Sequence, residues 1–128
     1  PGTLATNMPY GTECGGLTLT GLTRPVTATD WDLQLSNIPA GSIVAAIVFG
    51  LTNPNLALGT LAPGCTAYSD ASAAVLLPIP MPAYSFTIPN NPIFIGQGLY
   101  LQGVTLVPGA NPLGVSTSAG LLGTVGDI

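Results

Sequence analysis

The sequence predicts an all-β domain, an antiparallel β-sandwich or jelly-roll-like fold of about eight strands with one disulfide. Short segments that alternate apolar with polar residues, or that are rich in β-branched residues, recur along the chain, and Gly, Pro and Asn turn residues separate them. No window keeps the spacing of an amphipathic helix without interruption by Pro, Gly or a β-branched residue. At 128 residues the chain has room for one domain.

The first half of the chain contains the clearest strand signals. Residues 17–20 and 30–35 alternate apolar with polar side chains, which predicts two half-buried strands. Residues 43–49 are apolar on both faces and rich in β-branched side chains, which predicts a central buried strand. Residues 52–64 contain two Pro-rich turns and are expected to form an irregular loop before a short strand at 65–68.

The second half continues this pattern. We expect strands at 73–77, 83–88 and 99–107, and two weaker strands at 113–118 and 120–125. The first two flank Pro78-Ile-Pro-Met-Pro82, whose prolines exclude a central strand and are expected to guard one sheet edge.

Residues 1–13 differ from the rest and are interpreted as an N-terminal extended arm, followed by a single sandwich domain at 14–128. The extended part of the arm comprises Thr3, Leu4, Ala5, Thr6, Asn7 and Met8. It has no hairpin partner nearby in the sequence. Two alternatives follow: the arm packs on its own sandwich, as terminal strands commonly do, or it is a donor strand that pairs with the sheet edge of a neighbouring subunit.

Charge is scarce, with five acids, one arginine, no lysine and no histidine. A single arginine cannot neutralise a nucleic-acid backbone, so we expect no nucleic-acid partner. The usual catalytic bases and Schiff-base chemistry are missing, so we expect no enzyme activity, no catalytic residue and no cofactor. The apolar runs are far shorter than the roughly 20 residues of a membrane helix, so no transmembrane segment is expected.

Asp30 and Asp32 are the only close pair of acids. As residues i and i+2 of one strand they project from the same face, where a calcium ion or a glycosidase-like carboxylate pair could be held. Their alternation with Trp31 favours a solvated strand face, so we predict no metal site. Trp31 is expected in the core, with a sugar-stacking platform as the alternative, and the four tyrosines are interpreted as dispersed.

Cys14 and Cys65 are the only cysteines. Without other redox or metal-binding residues, they are best interpreted as one structural disulfide, which indicates an extracellular protein. Two buried free thiols are the alternative. Because the sequence starts at Pro1 rather than Met, we also expect a mature fragment from which a leader has been removed.

A set of short motifs follows one after another along the chain: Tyr10-Gly-Thr-Glu-Cys-Gly15, Gly64-Cys65, Ile88–Gly96 with Leu99–Gln102, Asn111–Gly114 and Ser118–Gly120. This set resembles the small secreted β-rich modules that are abundant in environmental bacteria such as planctomycetes. The resemblance covers nearly the whole chain. It implies secretion, a β-rich fold and a Cys14–Cys65 bridge, and it carries no established activity.

Two functions are compatible with these features. The first is an extracellular, cell-surface structural protein, a self-assembling subunit of a fibre or filament whose partners are copies of itself through strand-edge contacts. It is favoured because a monomer with so few charges should be poorly soluble and because no lysine guards the sheet edges. The alternative is a carbohydrate-binding or adhesion module, with a bound or O-linked glycan as its partner.

Overall fold

The computed structural model describes residues 2–79 and 82–128, so Pro1, Pro80 and Met81 lie outside the described residues. Ten strands form within these ranges: β1 (Thr6–Tyr10), β2 (Thr18–Gly21), β3 (Asp30–Ser36), β4 (Val44–Gly50), β5 (Leu56–Ala57), β6 (Thr66–Ala67), β7 (Ala73–Leu77), β8 (Ala83–Thr87), β9 (Gly98–Leu106) and β10 (Val115–Thr124). Two short 3-10 turns are present at Gly59–Leu61 and Pro92–Phe94. The predicted all-β class is confirmed. None of the described helical segments has the length and apolar character needed to span a bilayer.

Two antiparallel sheets form the sandwich, as predicted. The larger has five strands in the order β1-β10-β9-β4-β7, and the smaller has three in the order β2-β3-β8. The short strands β5 and β6 pair with each other within the predicted irregular loop. The sheets therefore have four edge strands, which are β1 and β7 in the larger sheet and β2 and β8 in the smaller one.

The core lies between the inner faces of these two sheets. Trp31, Leu33 and Leu35 alternate along β3 with polar neighbours, and all three are essentially inaccessible to solvent. They pack with Ile47 of β4 and Leu101 of β9 from the opposite sheet. Burial of each such side chain stabilises the fold by about 1.5–3 kcal/mol. The apolar side chains that alternate along β3 therefore hold the smaller sheet against the larger one.

Glycine provides the space for the largest core side chain. A Cβ built on Gly123 of β10 would overlap the indole ring of Trp31. The indole Nε1–H donates a hydrogen bond of 3.0 Å to Asn7 Oδ1 in β1. The predicted core position of Trp31 is thus correct, and its one polar atom is satisfied by the N-terminal strand.

The prediction of two strands at 113–118 and 120–125 was wrong, because β10 is one strand with a bulge. Thr117 pairs with Val104 and Gly120 pairs with Gln102 of β9, so three steps along β10 match two steps along β9. One additional residue is therefore inserted into β10. The bulge breaks the alternation of apolar and polar residues, which is why the sequence pattern indicated two separate strands.

The predicted N-terminal arm contains β1, which forms an edge strand of the larger sheet. β1 pairs antiparallel with β10 of its own chain, from Thr6 opposite Thr124 to Tyr10 opposite Gly120. Ala5 N–H also donates to Ile128 O at 2.9 Å. Within this single chain the arm is paired with its own domain, which is the first of the two alternatives. The partner strand lies near the other end of the chain, where no local pattern could reveal it.

Candidate interaction surface

The predicted disulfide is confirmed and fixes the long segment 51–72 on the outer face of the larger sheet. Cys14 and Cys65 are bonded, with their Cα atoms 5.1 Å apart. Beside them, Gln102 is buried on that outer face: its Oε1 accepts from Tyr68 N–H at 3.0 Å, and its Nε2 donates to Thr66 O at 2.6 Å and Ser118 O at 2.9 Å. The disulfide and the Gln102 amide together hold segment 51–72 against this part of the outer face.

The four tyrosines are not dispersed as predicted, because three of them form a cluster beside segment 51–72. The Tyr10 ring contacts Tyr68 and Tyr100 edge to face, with centroids 5.3 and 6.2 Å apart. Tyr10 Oη–H donates to Tyr68 O at 2.8 Å, and Thr12 N–H donates to Tyr68 Oη at 3.0 Å. The cluster joins β1, segment 51–72 and β9, which are distant in sequence, so it could not be seen in the sequence.

Stability above pH 10 should report on this cluster. Burial, followed by the Tyr100 and Tyr68 phenols, raises the pKa of Tyr10 to about 12 from its ordinary 10.0. The unfolded chain therefore loses this proton first, so the contribution of neutral Tyr10 is fully present below pH 10 and is lost as the pH rises towards 12. Hydrogen bonding with the Thr12 hydroxyl and N–H lowers the pKa of Tyr68, which acts in the opposite direction.

We expect Tyr10→Phe to reduce the loss of unfolding free energy between about pH 9 and about pH 11.5, measured by chemical denaturation. The variant also loses the hydrogen bond to Tyr68 O, but that loss is the same at both pH values. An unchanged pH dependence in the variant would contradict the assignment to Tyr10.

Asp30 and Asp32 lie on the outer face of the smaller sheet, as predicted. Thr87 Oγ1–H donates to Asp30 Oδ1 at 2.7 Å, and Ser85 Oγ–H donates to Asp32 Oδ1 at 2.6 Å. One oxygen of each carboxylate therefore accepts a hydrogen bond from a hydroxyl of β8, the neighbouring strand. Within residues 2–79 and 82–128, no group of three or more His, Cys, Asp or Glu residues is assembled that could hold a metal ion. The sugar-stacking alternative for Trp31 is wrong, because its ring is fully buried.

The four edge strands differ in how well they are protected against pairing with another chain. β1 contains Pro9, which has no N–H to donate and is tolerated only where its nitrogen faces away from the ladder. β2 has four residues and is the shorter edge of the smaller sheet. β8 lies between Pro82 and Pro89, and the strand that it borders carries the two aspartates. Each of these features limits the addition of a strand.

The fourth edge, β7, is followed directly by Pro78 but is less protected, because it is longer than β2 and the strand beside it, β4, carries no charge. Its five residues, Ala73–Leu77, contain no proline, no charge and no polar side chain. It pairs with β4 on one side, and no strand of the described residues covers its other side. Of the prolines predicted to guard an edge at 78–82, Pro78 follows β7, Pro82 precedes β8, and Pro80 lies outside the described residues. The backbone N–H and C=O groups on the free side of β7 are therefore open to another strand.

The outer face next to this edge is apolar. Leu76, which is 74% exposed, lies opposite Ala46, and Ala46 lies opposite Val104. Leu106, which is 41% exposed, extends this surface opposite Val44. We call this surface the β7 patch, and it consists of Ala74, Leu76, Ala46, Val104, Val44 and Leu106.

No residue of β7 or of the β7 patch is charged. Asp70, three residues before β7, accepts hydrogen bonds from the hydroxyls of Ser72 at 2.8 Å and Thr52 at 2.9 Å. These bonds lower the pKa of Asp70, the Ser72 bond being the larger cause. Arg24 lies with the chain ends, where Nη1 donates to the carbonyls of Ala5 and Ile128. The free edge and its patch are thus electrically neutral.

A separate apolar groove of about 380 Å³ lies at one end of the sandwich. Its lining is Leu51, Phe86, Ile88, Pro89, Phe94, Gln97, Leu99 and Val125, with Gln97 as the one polar member. Its lining is suited to an apolar side chain, and Phe86 of β8 forms part of it.

Comparisons with known proteins give no match: no family model, no curated protein and no solved structure is similar to this chain. The function is therefore inferred from the fold and from the chemistry of these surfaces.

Proposed function

We propose that this protein is an extracellular structural subunit that assembles with copies of itself through sheet edges, as the building block of a surface fibre or filament. The observation that carries the proposal is β7, an edge strand of five residues without proline, charge or polar side chains. Natural sheet proteins normally protect such an edge with lysine, proline or a bulge, because an unprotected edge pairs with other strands.

The exposed apolar surface supports the same proposal. Leu76 is 74% exposed and is continuous with the other apolar residues of the β7 patch. An isolated soluble domain usually carries about 25–35% charged residues at its surface, whereas 5% of this chain is charged. Contact between sheet edges would satisfy the free backbone groups of β7, and contact of the outer face with a further subunit would remove the patch from water.

The proposed location rests on the disulfide. Disulfides form and persist in oxidising compartments and are rare in the cytosol. The Cys14–Cys65 bond joins the beginning of the chain to the segment that covers the outer face, and the described residues contain no free cysteine. An extracellular structural subunit would retain this bond.

A lysine at the centre of the patch should prevent assembly. We expect Leu76→Lys to raise the dissociation constant for self-association by about 100-fold or more, because a charge would enter an apolar contact and lysine is a natural edge guard. Leu76 is already 74% exposed, so the fold should lose little stability. Sedimentation equilibrium at a series of protein concentrations measures the change.

Ile93→Lys is the matched control. Ile93 is 78% exposed, precedes Phe94 of the apolar groove and lies outside the β7 patch, so this variant should assemble like the wild type. If Ile93→Lys abolished assembly while Leu76→Lys had no effect, the groove rather than β7 would be the contact. Equal assembly of all three proteins would refute a role for either surface.

A further inference from the structure

The free side of β7 requires a particular kind of partner. β7 pairs with β4 along all five residues, so the backbone donors and acceptors of alternate residues point to the free side, where no strand of the described residues meets them. Only another extended strand offers donors and acceptors at the matching spacing along this edge. The question is therefore which strand of a neighbouring copy would occupy it.

The other three edges of the fold are poorer partners than β7 itself. Pro9 removes a donor from β1, and β2 is one residue shorter than β7. Pairing with β8 would set the apolar β7 patch beside the sheet that carries Asp30 and Asp32. Pairing of β7 with β7 keeps like surfaces together, because a two-fold axis perpendicular to the sheet places both outer faces on the same side.

The sequence of β7 suits pairing with itself. In a symmetric antiparallel pair centred on Val75, Ala74 of each copy lies opposite Leu76 of the other, so a small side chain meets a large one twice on the outer face. Ala73 lies opposite Leu77 in the same arrangement. A symmetric contact sets equivalent residues close to each other, so charges would repel, and this strand has none.

The register follows from symmetry and strand length. Paired residues must share a face, so the register can move only in steps that preserve the alternation of faces. The arrangement centred on Val75 uses all five residues of β7. Moving the centre to Leu76 would bring Pro78 into the ladder opposite Ala74, and moving it to Ala74 would leave Leu77 unpaired.

We propose that the partner at this edge is β7 of a second copy of this chain, paired antiparallel and centred on Val75. This proposal rests on the proposed self-assembly. The two five-stranded sheets would join into one continuous sheet with both β7 patches on one face. A symmetric contact of this kind closes at two copies, so the unit that enters a larger assembly is a dimer.

Cysteine cross-linking tests the partner and the register. Directly opposed Cβ atoms in an antiparallel ladder are about 4.5–5.5 Å apart, near the range of a disulfide. Under mild oxidation, Val75→Cys should therefore form a covalent dimer, read by non-reducing electrophoresis. Ala74→Cys alone is the matched control and should cross-link at least about 10-fold more slowly, because its copies are offset by two residues along the strand.

A second test avoids the half-buried position of Val75. Mixing Ala74→Cys chains with Leu76→Cys chains should give covalent heterodimers, whereas either variant alone should give few dimers. Both positions are exposed, so neither substitution removes core packing. Rapid cross-linking of Ala74→Cys alone would overturn the register centred on Val75.

The outcomes separate this inference from the proposed function. If the wild type self-associates but neither Val75→Cys nor the mixture cross-links, the symmetric β7 pair is wrong and self-assembly stands. If the wild type remains a monomer at every concentration, both proposals fail.

Discussion

Replacement of both cysteines, Cys14→Ala with Cys65→Ala, is expected to lower the free energy of unfolding by about 4 kcal/mol. The bond joins residues that are 51 positions apart, so its loss frees a long loop in the unfolded chain. Denaturant unfolding of the oxidised wild type and the double variant, under identical conditions, measures the difference.

Contacts that do not depend on the disulfide should allow the double variant to fold into the same sandwich. Segment 51–72 remains attached through Gln102, whose amide binds Tyr68 N–H and Thr66 O. The loss should appear as a lower denaturant midpoint, with a somewhat steeper slope because the unfolded chain without the bond exposes more surface. The wild type treated with a reductant is the matched control and should show a similar loss. A difference below about 1 kcal/mol would contradict the stabilising role assigned to the bond.

Truncation of Trp31 should have an effect of similar size. Trp31→Ala is expected to cost about 3–5 kcal/mol, because a fully buried ring is replaced by a cavity between the two sheets. It also leaves Asn7 Oδ1 without the donor that it has in the wild type. Unfolding in denaturant, followed by circular dichroism because the only tryptophan is removed, measures the cost.

A second substitution tests whether the ring and Gly123 are packed against each other. Gly123→Ala should be strongly destabilising in the wild type, because the added Cβ would overlap the indole, and much less so in the Trp31→Ala background. Gly98→Ala is the matched control on β9, where the new Cβ would meet only the flexible end of Leu122. Equal costs of Gly123→Ala in both backgrounds would show that the two residues are not coupled.

The elements predicted correctly are those whose signal is local. β3 is defined by the alternation of apolar and polar residues along its own length, and that pattern also places Trp31 in the core. β7 matches the predicted segment 73–77, a short apolar run that ends where Pro78 begins the proline-containing segment. The disulfide could be predicted because the chain has two cysteines and no other residues that would use them for redox or metal chemistry.

The features that were missed depend on contacts between distant segments. β1 finds its partner in β10, at the other end of the chain, and the bulge in β10 hides the continuity of that strand. The tyrosine cluster brings together Tyr10, Tyr68 and Tyr100 from three elements. Strand order, which decides that β7 is an edge and β4 is not, is likewise a property of the assembled sheets. The interaction surface could therefore be identified only in the fold.

The few charged residues of the chain all lie outside β7. The aspartates of β3 accept hydrogen bonds from hydroxyls of β8 in the smaller sheet, and Asp70 accepts hydrogen bonds from the hydroxyls of Ser72 and Thr52. The neutral region that remains includes β7, the one edge of the two sandwich sheets with no proline, charge or polar side chain within its strand. Low charge and edge exposure thus coincide at β7, which is the basis for the proposed assembly.

Sedimentation equilibrium of the wild type across a wide concentration range tests that proposal most directly. The account predicts an average mass that rises with concentration above the 12.8 kDa of one chain, and a Leu76→Lys variant that stays at that mass. A wild type that sediments as a single 12.8 kDa species at every concentration would contradict it.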